Sequence, residues 1–157
     1  MNAILLDANF LVAWLDPKDA LHDRASEIDI GLGARLERLL VDVAVTEALG
    51  VIARRCEEQK RSKEFVELLD FFRAYAPANR VIWVYPLLRE LYGDCLDVLE
   101  RSAGRLNFND ALMALYMQRS KIRYLASFDT DFDELPAIQR ISTAQQATSL
   151  SSLSSQT

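Results

Sequence analysis

The sequence predicts an α/β domain built on a mostly parallel sheet, and three observations predict it. Apolar, β-prone runs alternate with helical patterns along the chain, the helical patterns carry one-sided apolar stripes, and 157 residues suit one domain with a sizeable core. Residues 3–6, 39–43, 81–85 and 122–126 read as strands, and 138–141 as a short edge strand. Between them Phe65, Leu68, Leu69 and Phe72 recur at i, i+3, i+4 and i+7, the stripe of a helix that begins near Ser62 and ends before Pro77. Leu88, Leu91, Tyr92, Cys95, Leu96 and Leu99 repeat that pattern after Pro86, which suits a first helical turn, with Gly104 as the stop. Ala111, Leu112, Leu115 and Tyr116 open another helix. Residues 142–157, STAQQATSLSSLSSQT, have little to bury and read as a disordered tail after a domain spanning 1–141.

Composition narrows the function. Half the residues are hydrophobic, yet no apolar run approaches the roughly 20 residues that span a bilayer, so no membrane segment is expected. The start MNAILLDANF lacks a secretory signal pattern, which gives a cytoplasmic expectation. Cys56 and Cys95 lie far apart within helical patterns and read as small buried hydrophobes, not as a disulfide or zinc pair. A net charge of −5 argues against nucleic-acid binding through bulk positive charge, so any such contact is local. The basic groups Arg54, Arg55, Lys60, Arg61 and Lys63, then Arg119, Lys121 and Arg123, read as solvated helix faces.

Acids fall where an α/β sheet binds ligands. Asp7 follows the run AILL and Asp129 lies just past the run ending at Ala126; in such a sheet the crevice beyond the carboxyl ends of the strands is the binding site. Glu47 follows Thr46, a reasonable N-cap, and Asp110 follows Asn109 at a helix start, so both are expected in first turns near the same edge. Helix capping and dipole placement explain each acid singly. Together they need compensation, because two carboxylates ~4 Å apart repel by ~4 kcal/mol at an effective dielectric near 20. Protonation, an arginine or a divalent cation would supply it.

Competing motifs fail. Asp129, Asp131 and Asp133 match the first, third and fifth positions of a calcium loop, but Glu134 and Arg140 stand where Gly and a bidentate Glu belong. His22 is the only histidine and has no nucleophile motif beside it, and no phosphate-binding glycine loop is present.

The ordered segments ILLDANFLVAWL, VTEALGVIARR, LNFNDALMALYMQ and YLASFDTDFDEL resemble a PIN domain of the VapC type, the ribonuclease of toxin–antitoxin pairs. The resemblance covers residues 1–141 and implies a three-layer α/β/α fold. It implies an acidic catalytic and metal site of Asp7, Glu47, Asp110 and Asp129, with Asp131 reaching the metal through water or holding the loop. Asn9 and Thr46 would support that site, while Asp133 and Glu134 look like solvated turn residues. Ala8 stands where many relatives have Thr. Also implied are Mg²⁺, with Mn²⁺ able to substitute, an RNA substrate, an antitoxin partner and a homodimer. Two alternatives stay open: a PIN nuclease in RNA processing outside a toxin pair, and an inactive PIN scaffold that binds a protein or RNA.

Overall fold

A computed structural model describes residues 3–153. Among the described residues the chain runs β1 (Ala3–Leu6), α1 (Ala8–Leu15), α2 (His22–Leu32), β2 (Glu37–Val41), α3 (Asp42–Glu58), α4 (Ser62–Tyr75) and β3 (Val81–Ile82). It continues through α5 (Leu88–Arg101), α6 (Phe108–Arg119), β4 (Tyr124–Ala126), β5 (Gln139–Ile141) and α7 (Ala144–Leu153). Short 3₁₀ turns cover Tyr85–Leu87 and Thr130–Glu134. All strand pairs are parallel, in the order β3-β2-β1-β4-β5. Successive strand residues face opposite sides, and all four residues of β1 are buried, so the central strand is covered on both faces. This is the three-layer α/β/α arrangement. The chain leaves β1 for β2 on one side and places β4 on the other, which makes the β1/β4 boundary a topological switch point.

β1 matches its apolar run, β2 keeps its length but lies two residues earlier, and β3, β4 and β5 are shorter than their runs suggest; one side chain explains the changes in β2 and β3. Buried Asp42 accepts from its neighbour Val43 N–H at 2.9 Å and from Val84 and Tyr85 N–H at 2.9 and 3.0 Å. Its carboxylate therefore ends β2 at Val41, starts α3, and takes the N–H groups that the expected strand 81–85 would have given to a ladder. Ile122 is lost from β4 because its N–H closes α6 onto the Met117 carbonyl at 2.9 Å, with Lys121 at a positive φ of 55°. Cys56 and Cys95 are buried free thiols, as expected. The expected helices over α4, α5 and α6 form, and Gly104 turns the chain after α5 at a φ of +76°.

The expected disordered tail is corrected. Residues 144–153 form α7, and residues 154–157 of that expectation lie outside the described residues. Thr143 Oγ1 accepts from Gln146 N–H, while the Gln146 side chain accepts from Ser142 and Thr143 N–H, a cap that nucleates the helix. Ala147 and Leu150 then bury against the body of the protein. The fit to α2 depends on Gly31, where an added Cβ would meet the Ala144 carbonyl at 3.0 Å and the Ala147 Cβ at 3.1 Å. Small residues, not apolar bulk, hold this helix down.

Arg61 also departs from expectation. It is nearly buried, and its guanidinium grips both oxygens of buried Asp16, at 2.9 and 3.0 Å, fastening the end of α1 to the segment between α3 and α4. Burial alone would raise the Asp16 pKa; the Arg61 hydrogen bonds and the Lys18 N–H outweigh it and hold the carboxyl below its ordinary value.

Two outcomes follow from these contacts. Gly31→Val lowers the urea stability by about 1–3 kcal/mol and opens the 142–144 linker to limited proteolysis, whereas Gly31→Ala does less of both. Because the folded pKa of Asp16 is depressed, its contribution is present above the unfolded value, about 4, and is lost as pH falls through the folded value. Asp16→Asn therefore lowers the urea midpoint at pH 7 and flattens its decline between pH 5 and pH 2.

Candidate functional site

Parallel register builds the floor of the site. Leu6 pairs with Ala126, so the residues just past β1 and β4, Asp7 and Ser127, lie side by side. The Ser127 hydroxyl donates to Asp7 Oδ2 at 2.6 Å, and Ala8 N–H donates to Oδ1 at 2.7 Å, so Asp7 caps α1 while its carboxylate faces the switch point. Both readings of Asp7, cap and site acid, are compatible with one geometry. Ser127 Oγ also accepts from Asp129 N–H at 3.0 Å and from Asn9 Nδ2 at 3.2 Å. Asn9 Oδ1 in turn accepts from Phe128 N–H at 2.9 Å, tying the start of α1 to the loop after β4.

Two helices bring the other acids. Glu47 lies in the second turn of α3, not the first, because Asp42 starts that helix. Thr46 consequently does not cap; its hydroxyl donates back to the Asp42 carbonyl at 2.9 Å and lies 3.3 Å from the Tyr85 hydroxyl. Asp110 is the third residue of α6 and completes a reciprocal cap with Asn107, accepting from Asn107 N–H at 2.8 Å. Asn109 reaches across to Glu47 Oε2 at 3.1 Å and links α6 to α3.

The loop after β4 separates its acids into roles. Asp129 Oδ1 accepts from Asp131 N–H at 2.9 Å and starts the 3₁₀ turn. Phe132 packs inward, fully buried. Exposed Asp133 is gripped by Arg140 and Glu134 pairs with Arg105, so both serve the turn as expected. Asp131 lies 3.9 Å from Arg105.

Electrostatics shows which acids share a field. Burial pushes Asp7 up to about 7, partly opposed by the Ser127 hydrogen bond and reinforced by the charges of Asp110 and Glu47. Burial likewise raises Asp110 to about 6, with Asn107 N–H opposing and Glu47, Asp129 and Asp131 adding repulsion. Asp110 is thus the centre of the constellation. Among the described residues no lysine or arginine forms an ion pair with Asp7, Glu47, Asp110 or Asp129. Neutral donors hold these acids in place; Arg140 lies within electrostatic reach of Asp129 without pairing with it, and for buried Asp7 and Asp110 the cost of charge is large.

Oxygen donors of this kind suit a hard divalent cation, which also keeps several water ligands. Among the described residues no three His, Cys, Asp or Glu side chains stand ready to grip one ion directly. An ion here would have to draw on one or two of these carboxylates and complete its shell with water. His22 plays no part, its Nδ1 lying 2.8 Å from the Ala13 carbonyl. Ser127 and Asp42 are the polar residues that sequence reasoning missed; their partners lie far along the chain, and neither stands in a motif that announces them.

Among solved structures, the crystal structure of Mycobacterium tuberculosis VapC20, described as a Sarcin-Ricin loop cleaving toxin, is similar to this chain. The TM-score is 0.65 at 21% identity, over 85% of this chain and 95% of that one, which is a likeness of fold. Comparison with functionally curated proteins gives no match. The profile of the PIN domain matches residues 4–138. That span encloses the switch point and every acid placed around it, and the chain belongs to the PIN domain family.

Proposed function

We propose that this protein is a metal-dependent endoribonuclease acting as the toxin of a toxin–antitoxin pair, with Asp7, Glu47, Asp110 and Asp129 as its acidic metal site. The observation that carries this reading is the set of four acids gathered at the switch point without a basic partner among the described residues. The PIN fold and the similarity to a solved toxin support the nuclease and toxin assignments. A homodimer, an antitoxin partner and a cytoplasmic location belong to the same reading. No helix among the described residues is long and apolar enough to cross a membrane.

Bound Mg²⁺, or Mn²⁺ in its place, supplies Lewis-acid activation of water and neutralises charge on the phosphodiester. The chain's own residues prepare for that ion. Asp110 and Asp7 present oxygens whose pKa values are raised by burial first and by the neighbouring acids second, and Glu47 and Asp129 extend the donor set. Ser127 fixes the rotamer of Asp7 and the backbone of Asp129 together, while Asn9 holds Phe128 N–H so that the loop cannot drift from α1. Asp131, beside Arg105, is placed to act through water or through the loop. Thr46 supports α3 and contacts Tyr85, a more distant role than capping.

Purified protein incubated with structured and unstructured RNA is expected to cleave with Mg²⁺ or Mn²⁺ and to stop in excess chelator. Asp7→Asn and Asp110→Asn each lower kcat on the order of 100-fold or more while the protein stays folded. Cleavage that persists in chelator, or in both variants, would sink the metal-site assignment. Ser127→Ala, which keeps all acids but frees Asp7, weakens metal-dependent activity by about 10- to 100-fold.

The same acids set an opposite prediction for stability. A carboxyl raised in the folded state makes the metal-free protein less stable as pH climbs from about 4 towards 7. Asp7→Asn removes that penalty, and in chelator at pH 8 it raises the unfolding free energy by about 1–3 kcal/mol after allowing for weaker hydrogen bonding. Adding Mg²⁺ stabilises the wild type and leaves Asp7→Asn nearly unchanged, measured by urea denaturation.

A further inference from the structure

A groove of about 280 Å³ runs from the acidic site along the contact between α1 and α3. Asn9 and Glu47 line its near end, Val12 and Val51 its walls, and Arg55 and Asp19 its far end. Glu47, Val51 and Arg55 succeed one another at four-residue steps on a single face of α3, which sets Arg55 about 12 Å along the axis from Glu47. The groove therefore joins the acids to the one basic residue among its lining groups.

Arg55 is under-committed for an arginine in such a place. A guanidinium offers five N–H donors. Among the described residues Arg55 uses only Nη1, which donates to Asp19 Oδ2 at 2.5 Å, and its side chain is 38% exposed. Asp19 is fixed independently, since its Oδ1 accepts from Leu21 N–H at 2.8 Å in the turn before α2. The contrast is Arg61, 10% exposed, which spends its donors on Asp16, Glu64 and Gln59. Arg105, near the acids at Asp131, pairs with Glu134. Arg55 alone combines a groove position with unspent donors in a fork that matches a phosphate.

We propose that Arg55 is a substrate-positioning residue: it binds a backbone phosphate of single-stranded RNA, away from the scissile one, and Asp19 holds its guanidinium at the groove end until the RNA arrives. The inference rests on the nuclease reading above. It also accounts for how a chain of net charge −5 holds RNA, through a local cation placed along the path of the strand. The apolar walls at Val12 and Val51 carry the sugar and base between the two phosphate positions.

The test uses a labelled single-stranded RNA oligonucleotide that the wild-type protein cuts with Mn²⁺. Arg55→Ala is expected to raise KM about tenfold with kcat nearly unchanged, and to reduce the slope of log affinity against log salt by about 0.7. Asp19→Asn, which keeps an oxygen to accept from Leu21 N–H, releases the guanidinium and lowers KM several-fold. A merely structural ion pair would move both variants in the same direction, and that result overturns the proposal. A neutral methylphosphonate walked along the oligonucleotide should raise KM at one non-scissile position in the wild type and have no effect there in Arg55→Ala. If both proteins respond alike at every position, Arg55 meets no phosphate. Unchanged KM in Arg55→Ala together with lost inhibition by a protein partner would give the groove to that partner and likewise overturn the proposal. Absence of any cleavage by the wild type under every metal condition would instead defeat the nuclease reading itself.

Discussion

The hydrogen bond from Ser127 to Asp7 is the contact on which the site depends. It joins the ends of two adjacent parallel strands at the point where the sheet reverses its order of construction. The same hydroxyl accepts from the backbone of Asp129 and from Asn9, so one small side chain sets the position of two acids and the loop between them. Around it α3 and α6 are fastened by Asn109 and Glu47, which carries the remaining acids to the same edge. The geometry is held by neutral donors. Holding it with arginines would have cancelled the charge that the neutral donors leave in place.

That choice divides the protein into two electrostatic regimes. On the scaffold, Asp16, Asp133 and Asp29 are matched by Arg61, Arg140 and Arg38, and each pair ties separate segments together. Around the switch point Asp7 and Asp110 are buried without an ion pair, and the folded state tolerates them because the strand and helix ends over-determine their positions. Stability is invested around the site and withheld within it.

The order of strands and helices was legible because strongly periodic segments such as Phe65 to Phe72 and the buried run AILL have few other ways to satisfy their side chains. Asp7 and Asp129 were legible for a related reason, an acid directly after a buried run or just past it marking the end of a strand. The bounds of β2 and β3 were not legible. They turn on Asp42, whose partners Val84 and Tyr85 lie about forty residues away, so a polar residue inside an apolar run gave no sign that it would end one strand and shorten another. The placement of Glu47 and Thr46 failed with it. In α7 neither the cap of Thr143 and Gln146 nor the docking surface was read, because a glycine facing an alanine contributes almost nothing to an apolar stripe. Ser127 was unreadable for the plainest reason: its importance comes from the register of β1 against β4, and register is a property of two segments at once.

That register has a temporal side. The contact between Asp7 and Ser127 closes a loop of 120 residues, and β1 pairs in parallel with a strand that is made long after it. Contacts so distant along the chain form late and at a high entropic cost. During synthesis the first acid, already translated, waits for its strand-end partner until β4 and the loop beyond it have left the ribosome. An interrupted chain that stops short of Ser127 has Asp7, Glu47 and Asp110 but lacks the hydroxyl that holds Asp7. On the proposed nuclease reading, such a chain order keeps the translation machinery next to an unassembled site for nearly the whole of synthesis.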